Sequence, residues 1–155
     1  MKKALLMTLC LVAFSTVLCR AQEIRGLANK CLDVKASGTD NGTLVELWTC
    51  NGGANQHWRF TPQGNIRGIG NKCLDVKGSD GTTIELWTCN DGPNQRWRLT
   101  PQGNIRGMGD KCLGVKGGNS NDGTPALLWT CDGSANQRWR LSRQGDSSGT
   151  GNSGN

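Results

Sequence analysis

One pattern written three times limits most strongly what this chain can fold into. "IRG" begins at Ile24, Ile66 and Ile105, and "KC" reaches its cysteine at Cys31, Cys73 and Cys112. "WTC" ends at Cys50, Cys89 and Cys131, and "NQ" begins at Asn55, Asn94 and Asn136. Successive markers lie 42 and 39 residues apart, in one order or the other, because the middle copy is three residues shorter between its two cysteines. The deletion falls in "KGSDGTT", against "KASGTDNGT" in the first copy, and so marks a surface loop. A period of this length signals a repeat architecture, with repeats over about 24–65, 66–104 and 105–141.

Within each copy, short β-type runs such as "NIRG", "KCLDV", "TLVELWTC" and "NQHWRF" are separated by Gly, Asn, Asp and Pro, and no helical periodicity of useful length appears. Roughly four strands in each of three copies, spaced at about ten residues, predict a closed all-β unit with pseudo-threefold symmetry. An open solenoid fits less well, because solenoids need distinct capping repeats and these copies are near equals.

The ends of the chain differ from its middle. Lys2 and Lys3, an apolar run from Ala4 to Cys19 and then "CRAQ" have the order of a secretory signal, with cleavage after Ala21. The run is too short and too abruptly ended for a membrane span. Lipid attachment at Cys19 is the competing reading and ranks lower, since Leu18 is a poor residue before a lipidated cysteine. Removal of residues 1–21 takes Lys2, Lys3 and Arg20 and lowers the formal net charge from +6 to +3. Residues 142–155, rich in Gly, Ser and Asn, read as a flexible tail that either ends the chain or begins a tether. Between these ends, residues 22–141 form one domain by length.

Six of the eight cysteines remain after processing. In a short exported chain they read as three disulfides, whereas a zinc site would need close pairs such as C-x-x-C, and none exists. Neither a metal nor a cofactor is expected. The basic residues are dealt evenly among the repeats instead of forming a stripe, so nucleic acid gains no support as a partner. The localisation expected is secreted, extracellular or periplasmic.

All six tryptophans fall in three pairs, and strand parity sorts them. In "VELWTC", Glu46, Trp48 and Cys50 point one way and Val45, Leu47 and Thr49 the other; Glu85, Trp87 and Cys89 oppose Ile84, Leu86 and Thr88 in the same manner. The aliphatic set reads as the core face, so Trp48 and Trp87 share theirs with a carboxylate, an odd companion in a core. The assignment reverses in "QHWRF". There Gln56, Trp58 and Phe60 face together, opposite His57 and Arg59, and later copies place Trp97 with Leu99 and Trp139 with Leu141. Gln56, Gln95 and Gln137 then point inward, where each buried amide must bond backbone groups, locking a neighbouring turn. One tryptophan of each pair builds the domain; the other is offered to a ligand.

Parity in "KCLDV" sends Leu32 and Val34 inward and leaves Cys31 with Asp33. Were Cys31 joined to Cys50 across two antiparallel strands, Asp33 would stand opposite Trp48, and Asp75 would stand opposite Trp87 in the same way, with Cβ atoms roughly 5 Å apart. An indole can cover the apolar face of a pyranose while the carboxylate accepts bonds from vicinal hydroxyls. Each charge-assisted bond contributes about 1.5–3 kcal/mol, so a single shallow site is weak and repetition compensates through avidity.

"CLDV", "ELW" and "NQ-x-W", repeated over residues 24–141, closely resemble the ricin B-type lectins and the related β-trefoil modules attached to xylanases. The resemblance implies a β-trefoil with one disulfide inside each repeat, that is Cys31–Cys50, Cys73–Cys89 and Cys112–Cys131. It also implies sugar sites at Asp33, Trp48 and Asn55 and at Asp75, Trp87 and Asn94. Glu46 and Glu85 stand where family members often have Gln, which puts the sugar preference in doubt and adds a second acceptor to each site. The third copy departs from the pattern. Gly114 replaces the aspartate and Leu127 the acidic residue, so Trp129 and Asn136 form a degenerate site.

Asp33 with Glu46, or Asp75 with Glu85, can be read as a glycosidase pair, but duplicated copies on small loops lack the deep, water-controlled cleft that hydrolysis needs. His57 is Arg in both other copies and reads as a solvated strand residue. Asx/Gly turns account for "SGTDNGT" better than a calcium loop does. Three binding readings stand: a lectin for galactose-type glycans, a xylan- or polysaccharide-targeting module, and a protein-binding trefoil with vestigial sugar motifs.

Overall fold

The computed structural model describes residues 21–78 and 80–142. The expected leader and tail lie outside the described residues, apart from Ala21 and Ser142. The described residues form twelve strands: β1 Gln22–Arg25, β2 Cys31–Val34, β3 Thr43–Trp48, β4 His57–Phe60, β5 Ile66–Arg67, β6 Cys73–Val76, β7 Ile84–Trp87, β8 Arg98–Leu99, β9 Ile105–Arg106, β10 Cys112–Val115, β11 Thr124–Trp129 and β12 Arg140–Ser142. All recorded pairings are antiparallel, and single 3₁₀ turns join many of the strands. The fold is a β-trefoil, as the resemblance implies, with the four strands per repeat that the repeat pattern predicts.

Two layers result. A barrel forms where β1 pairs with both β12 and β4, β4 with β5, and β8 with β9. Two further bonds link the rest of the ring, from the Trp97 N–H to the Gly64 carbonyl at 2.8 Å and from the Trp139 N–H to the Gly103 carbonyl at 2.7 Å. Closure removes the free edges that a short-stranded sheet would otherwise expose. The hairpins β2–β3, β6–β7 and β10–β11 cover one end. They are joined in a cycle: β3 to β7, β11 to β3, and Thr83 of the second repeat to Leu127 of the third.

The core is written in threes. Ile24, Ile66 and Ile105 are fully buried, as are Leu32, Leu74 and Leu113, and Leu47, Leu86 and Leu128. Val34, Val76 and Val115 add another layer, and Val45, Ile84 and Ala126 another. Trp58, Trp97 and Trp139 are also buried, and each indole N–H donates at 2.9 Å to the carbonyl of Leu32, Leu74 or Leu113, so none enters the core unpaired. The glycine of each "IRG" follows from this packing. A Cβ on Gly68 or Gly107 would lie 2.7 Å from the ring of Trp58 or Trp97, and one on Gly26 would lie 2.6 Å from Trp139. Each core indole therefore lies on the glycine of the next repeat, and the last lies on the first.

The disulfides are Cys31–Cys50, Cys73–Cys89 and Cys112–Cys131, one per repeat, with Cα atoms 5.1 Å apart. Each closes a loop worth about 3 kcal/mol of chain entropy. Parity misplaces a few residues. Leu99 is 38% exposed at the end of the two-residue strand β8. Thr49 and Thr88 are exposed too, because β3 and β7 stop at Trp48 and Trp87 and alternation stops with them.

Candidate functional site

Strand register decides the geometry of the first two sites, and it differs from the sequence-based expectation. Asp33 stands opposite Glu46, not Trp48, and it is Cys31 that pairs with Trp48. In the second repeat Asp75 stands opposite Glu85, and Cys73 pairs with Trp87. The cause lies in the disulfide. Cys50 and Cys89 sit beyond the ends of their strands, so each bridge ties a strand residue to a loop and sets no register of its own. The offset of two residues preserves parity. Acid and indole thus share a face, with the carboxylates one pleat further in.

That shift sinks the acids and leaves the rings at the rim. Asp33, Asp75, Glu46 and Glu85 are buried, whereas Trp48 and Trp87 are each 39% exposed. Asn55 and Gln56, on the 3₁₀ turn before β4, both donate to Asp33 Oδ2, at 2.9 and 2.7 Å. Gln56 Nε2 also donates to the Thr49 carbonyl at 3.0 Å, and its Oε1 accepts the Asn51 N–H at 2.8 Å, which locks the turn after β3. The second repeat matches: Gln95 donates to Asp75 Oδ2 at 2.6 Å, and Asn94 donates to both of its oxygens, at 2.9 and 3.0 Å. The glutamine expected only to brace the backbone therefore also aims the aspartate.

Burial pushes the Asp33 and Asp75 carboxyls above the ordinary aspartate value, and the amide donors offset only part of that rise. Burial raises Glu46 as well, opposed by Lys35 at 4.0 Å and reinforced by Asp33. Glu85 is raised by burial and then by Asp75, with Lys77 opposing. Each site thus pairs two hydrogen-bond acceptors with one cation near the rim. The second is a hollow of about 390 Å³ lined by Asp75, Glu85, Trp87, Asn94 and Lys77, with Gly42 contributed by the first repeat.

Gly42 belongs to a contribution that the repeat pattern does not reveal. Asn41 Oδ1 accepts from the N–H and hydroxyl of Thr88, at 2.9 and 3.0 Å, and from Lys72 at 2.7 Å. Asp122 likewise receives the Thr49 N–H at 2.8 Å and Lys30 at 2.7 Å, so the third repeat flanks the first site. The glycine after each of these residues has positive φ, 88° at Gly42 and 84° at Gly123, and a Cβ there would lie 3.9 Å from the Trp87 ring or 3.7 Å from Trp48. An Asn/Asp-Gly-Thr triplet stands in all three loops, so the sequence signal for this contact is the greater length of the first and third loops. The middle repeat, three residues shorter, uses Asp80 to bond its own Thr82 and Thr83 instead. Trp129, which that loop would flank, is 58% exposed.

In the third repeat, Gly114 and Leu127 face each other across the hairpin where the other repeats place two acids. Gln137 keeps its bonds to the Thr130 carbonyl and the Asp132 N–H, and Asn136 keeps its bond to the Val115 carbonyl. Among the described residues the one group of nearby metal-type ligands is Glu23, Cys31 and Cys50, and its two sulfurs are joined to each other. His57 is half-buried on β4. Among those residues no helix is long and apolar enough to cross a membrane.

The family model for the ricin-type β-trefoil lectin domain matches residues 20–139, with a second match over 101–153. Among solved structures, the designed threefold-symmetric protein ThreeFoil is 28% identical, with a TM-score of 0.76 over 80% of this chain and 99% of its own. An exo-β-1,3-galactanase from Clostridium thermocellum is 27% identical, with a TM-score of 0.71 over 79% of this chain and 30% of its own. A non-toxic homologue of type II RIPs from Momordica charantia, solved with α-methyl-D-galactoside, is 26% identical, with a TM-score of 0.67 over 79% of this chain and 47% of its own. Serine protease 1 of Rarobacter faecitabidus is 61% identical over 31 residues, a match spanning 6% of that protein's length. With its threefold barrel, its "NQ-x-W" turns and a family match across nearly every described residue, the chain belongs to the ricin-type β-trefoil lectin domain family.

Proposed function

We propose that this protein is a secreted, non-enzymatic lectin that binds galactose-type glycans through two shallow sites, one in each of the first two repeats. The observation that carries the reading is the paired arrangement of a buried aspartate beneath a half-exposed indole. Amides fix the orientation of Asp33 and Asp75, while Trp48 and Trp87 offer a flat apolar surface beside them. Asn55 and Asn94 complete the polar floor, and Glu46 and Glu85 supply a second acceptor. All bonds recorded to Asp33 fall on Oδ2, which leaves Oδ1 for a sugar hydroxyl. The galactoside bound by the Momordica protein supports the sugar class. Three disulfides agree with export to an oxidising compartment.

The same geometry argues against hydrolysis. Glycosidase carboxylates flank a scissile bond from two sides, whereas Asp33 and Glu46 are direct cross-strand neighbours on one wall. A second reading, a polysaccharide-targeting module of a larger enzyme system, is favoured by the galactanase, of whose length this chain matches 30%. Retention on galactose-agarose against insoluble xylan separates the two. Retention on galactose, lost in the Trp48→Ala/Trp87→Ala double variant, is expected; retention on xylan alone would favour the second reading, and no retention on a broad glycan array would refute both.

A further inference from the structure

The third repeat has lost the acids of its site but kept the amides that hold an acid. In the first two repeats one N–H of the buried glutamine goes to a backbone carbonyl and the other to the aspartate, Gln56 to Thr49 and Asp33, Gln95 to Thr88 and Asp75. Gln137 is 1% exposed, yet among the described residues its Nε2 donates only to the Thr130 carbonyl, at 2.8 Å. Gln56 and Gln95 give their second N–H to the aspartate whose place Gly114 takes in this repeat. Asn136 repeats the loss: Asn55 and Asn94 donate to an aspartate as well as to a backbone carbonyl, while among the described residues Asn136 donates only to the Val115 carbonyl. A Cβ on Gly114 would lie 3.1 Å from Gln137 Cγ and 3.9 Å from Asn136 Nδ2, so both side chains border the space above this glycine. A buried donor without an acceptor is costly, which makes this space a receptor for one.

That space opens outward. The hollow over the third repeat is about 630 Å³, larger than the 390 Å³ of the second, and its lining includes Gly114, Leu127, Trp129, Asn136, Gln137 and Lys116. The shortened loop of the second repeat leaves Trp129 more exposed than either counterpart. Charge changes in the same direction. The floor acids of the other sites, Asp33 with Glu46 and Asp75 with Glu85, become Gly114 and Leu127, while Lys116 keeps the place of Lys35 and Lys77. One acid is gained at the rim: Asp132 stands where the first two repeats have Asn51 and Asn90, and the N–H and hydroxyl of Ser134 engage its carboxylate, at 2.9 and 2.5 Å.

We infer that the third repeat binds a carboxylate-bearing sugar, whose own carboxylate takes the place of the missing aspartate on the Gln137 and Asn136 amides while its ring lies on Trp129. The inference extends the lectin reading of the first two sites to a different ligand class at the third. One molecule would then recognise neutral and acidic sugars on separate faces.

The test is a ¹H–¹⁵N titration of the full oxidised chain, with the indole N–H signals and the Gln137 amide as reporters. The probes are methyl β-D-galactopyranoside, its uronic acid counterpart and the methyl glycoside of N-acetylneuraminic acid. At least one acidic probe is expected to move Trp129 and Gln137, and which one does so separates uronic from sialic sources. Gly114→Asp restores an internal carboxylate and is expected to weaken that binding about tenfold or more. Leu127→Glu, at a half-buried position, gives a second variant with the same expected direction. The inference is overturned if neither acid moves Trp129 and Gln137, if the neutral glycoside binds there as tightly, or if both variants leave acid binding unchanged. Failure of the lectin reading is a separate signal: the neutral glycoside would leave Trp48 and Trp87 unmoved.

Discussion

Replacing Trp58 with alanine separates the two kinds of tryptophan most sharply. The Trp58 side chain is fully buried, its N–H bonds the Leu32 carbonyl at 2.9 Å, and its ring lies against Gly68, where a Cβ would come within 2.7 Å. Removal deletes the largest core side chain of the first repeat, leaves a buried carbonyl without its donor and opens a cavity between two repeats. Large-to-small aromatic truncations of this kind cost about 3–5 kcal/mol. Trp48 is 39% exposed and is not part of the buried core cluster. Its truncation should cost no more than about 1 kcal/mol, near the range of surface substitutions. Urea unfolding of the oxidised protein, followed by far-UV circular dichroism, reads both. With a slope of about 1–3 kcal/mol/M, Trp58→Ala should lower the midpoint by roughly 1–5 M, and Trp48→Ala by no more than about a third of the Trp58→Ala shift. Glycan binding should show the reverse order, provided Trp58→Ala is assayed where it is still folded. Equal loss of stability from the two substitutions would refute the division of labour between the faces.

Acidification should move binding and stability in opposite directions. Asp33 and Asp75 titrate above the ordinary value of 3.8, so they gain protons while a free aspartate is still ionised. Their raised values make the native state the stronger proton binder, so this contribution is full below 3.8 and is lost as pH rises through the folded value. With the ionised acids accepting sugar hydroxyls as proposed, galactoside affinity should therefore fall on descending through the same window above pH 3.8, where these groups favour the fold; calorimetric titration paired with urea unfolding across that range checks both signs. Asp122 is shifted the other way by its bonds from Lys30 and Thr49, so its contribution is present above 3.8 and lost below it, outside that window. Asn41→Ala, which removes the acceptor of Thr88 and Lys72, should weaken galactoside binding at Trp87 several-fold and leave Trp48 unaffected, as read from the two indole signals.

Much of this protein is determined by its sequence alone. The threefold recurrence dictates a closed pseudo-symmetric β fold, because no single repeat can bury its own apolar face. Strand alternation separates Trp58 from Trp48, since neighbouring side chains on an extended chain point to opposite sides. The missing acid of the third site is visible as Gly114. Tertiary structure decided the rest. Asp33 faces Glu46 and lies deeper than the indole because Cys50 falls beyond the end of β3, and where a strand ends depends on its neighbours. Asp122 reaches Thr49 across 73 residues, and Asn41 reaches Thr88 across 47. Such contacts follow from the order in which the hairpins meet around the threefold axis, and local periodicity carries no information about that order. The larger third hollow has the same origin: a deletion in the second repeat uncovers a tryptophan in the third because ring closure makes the two neighbours.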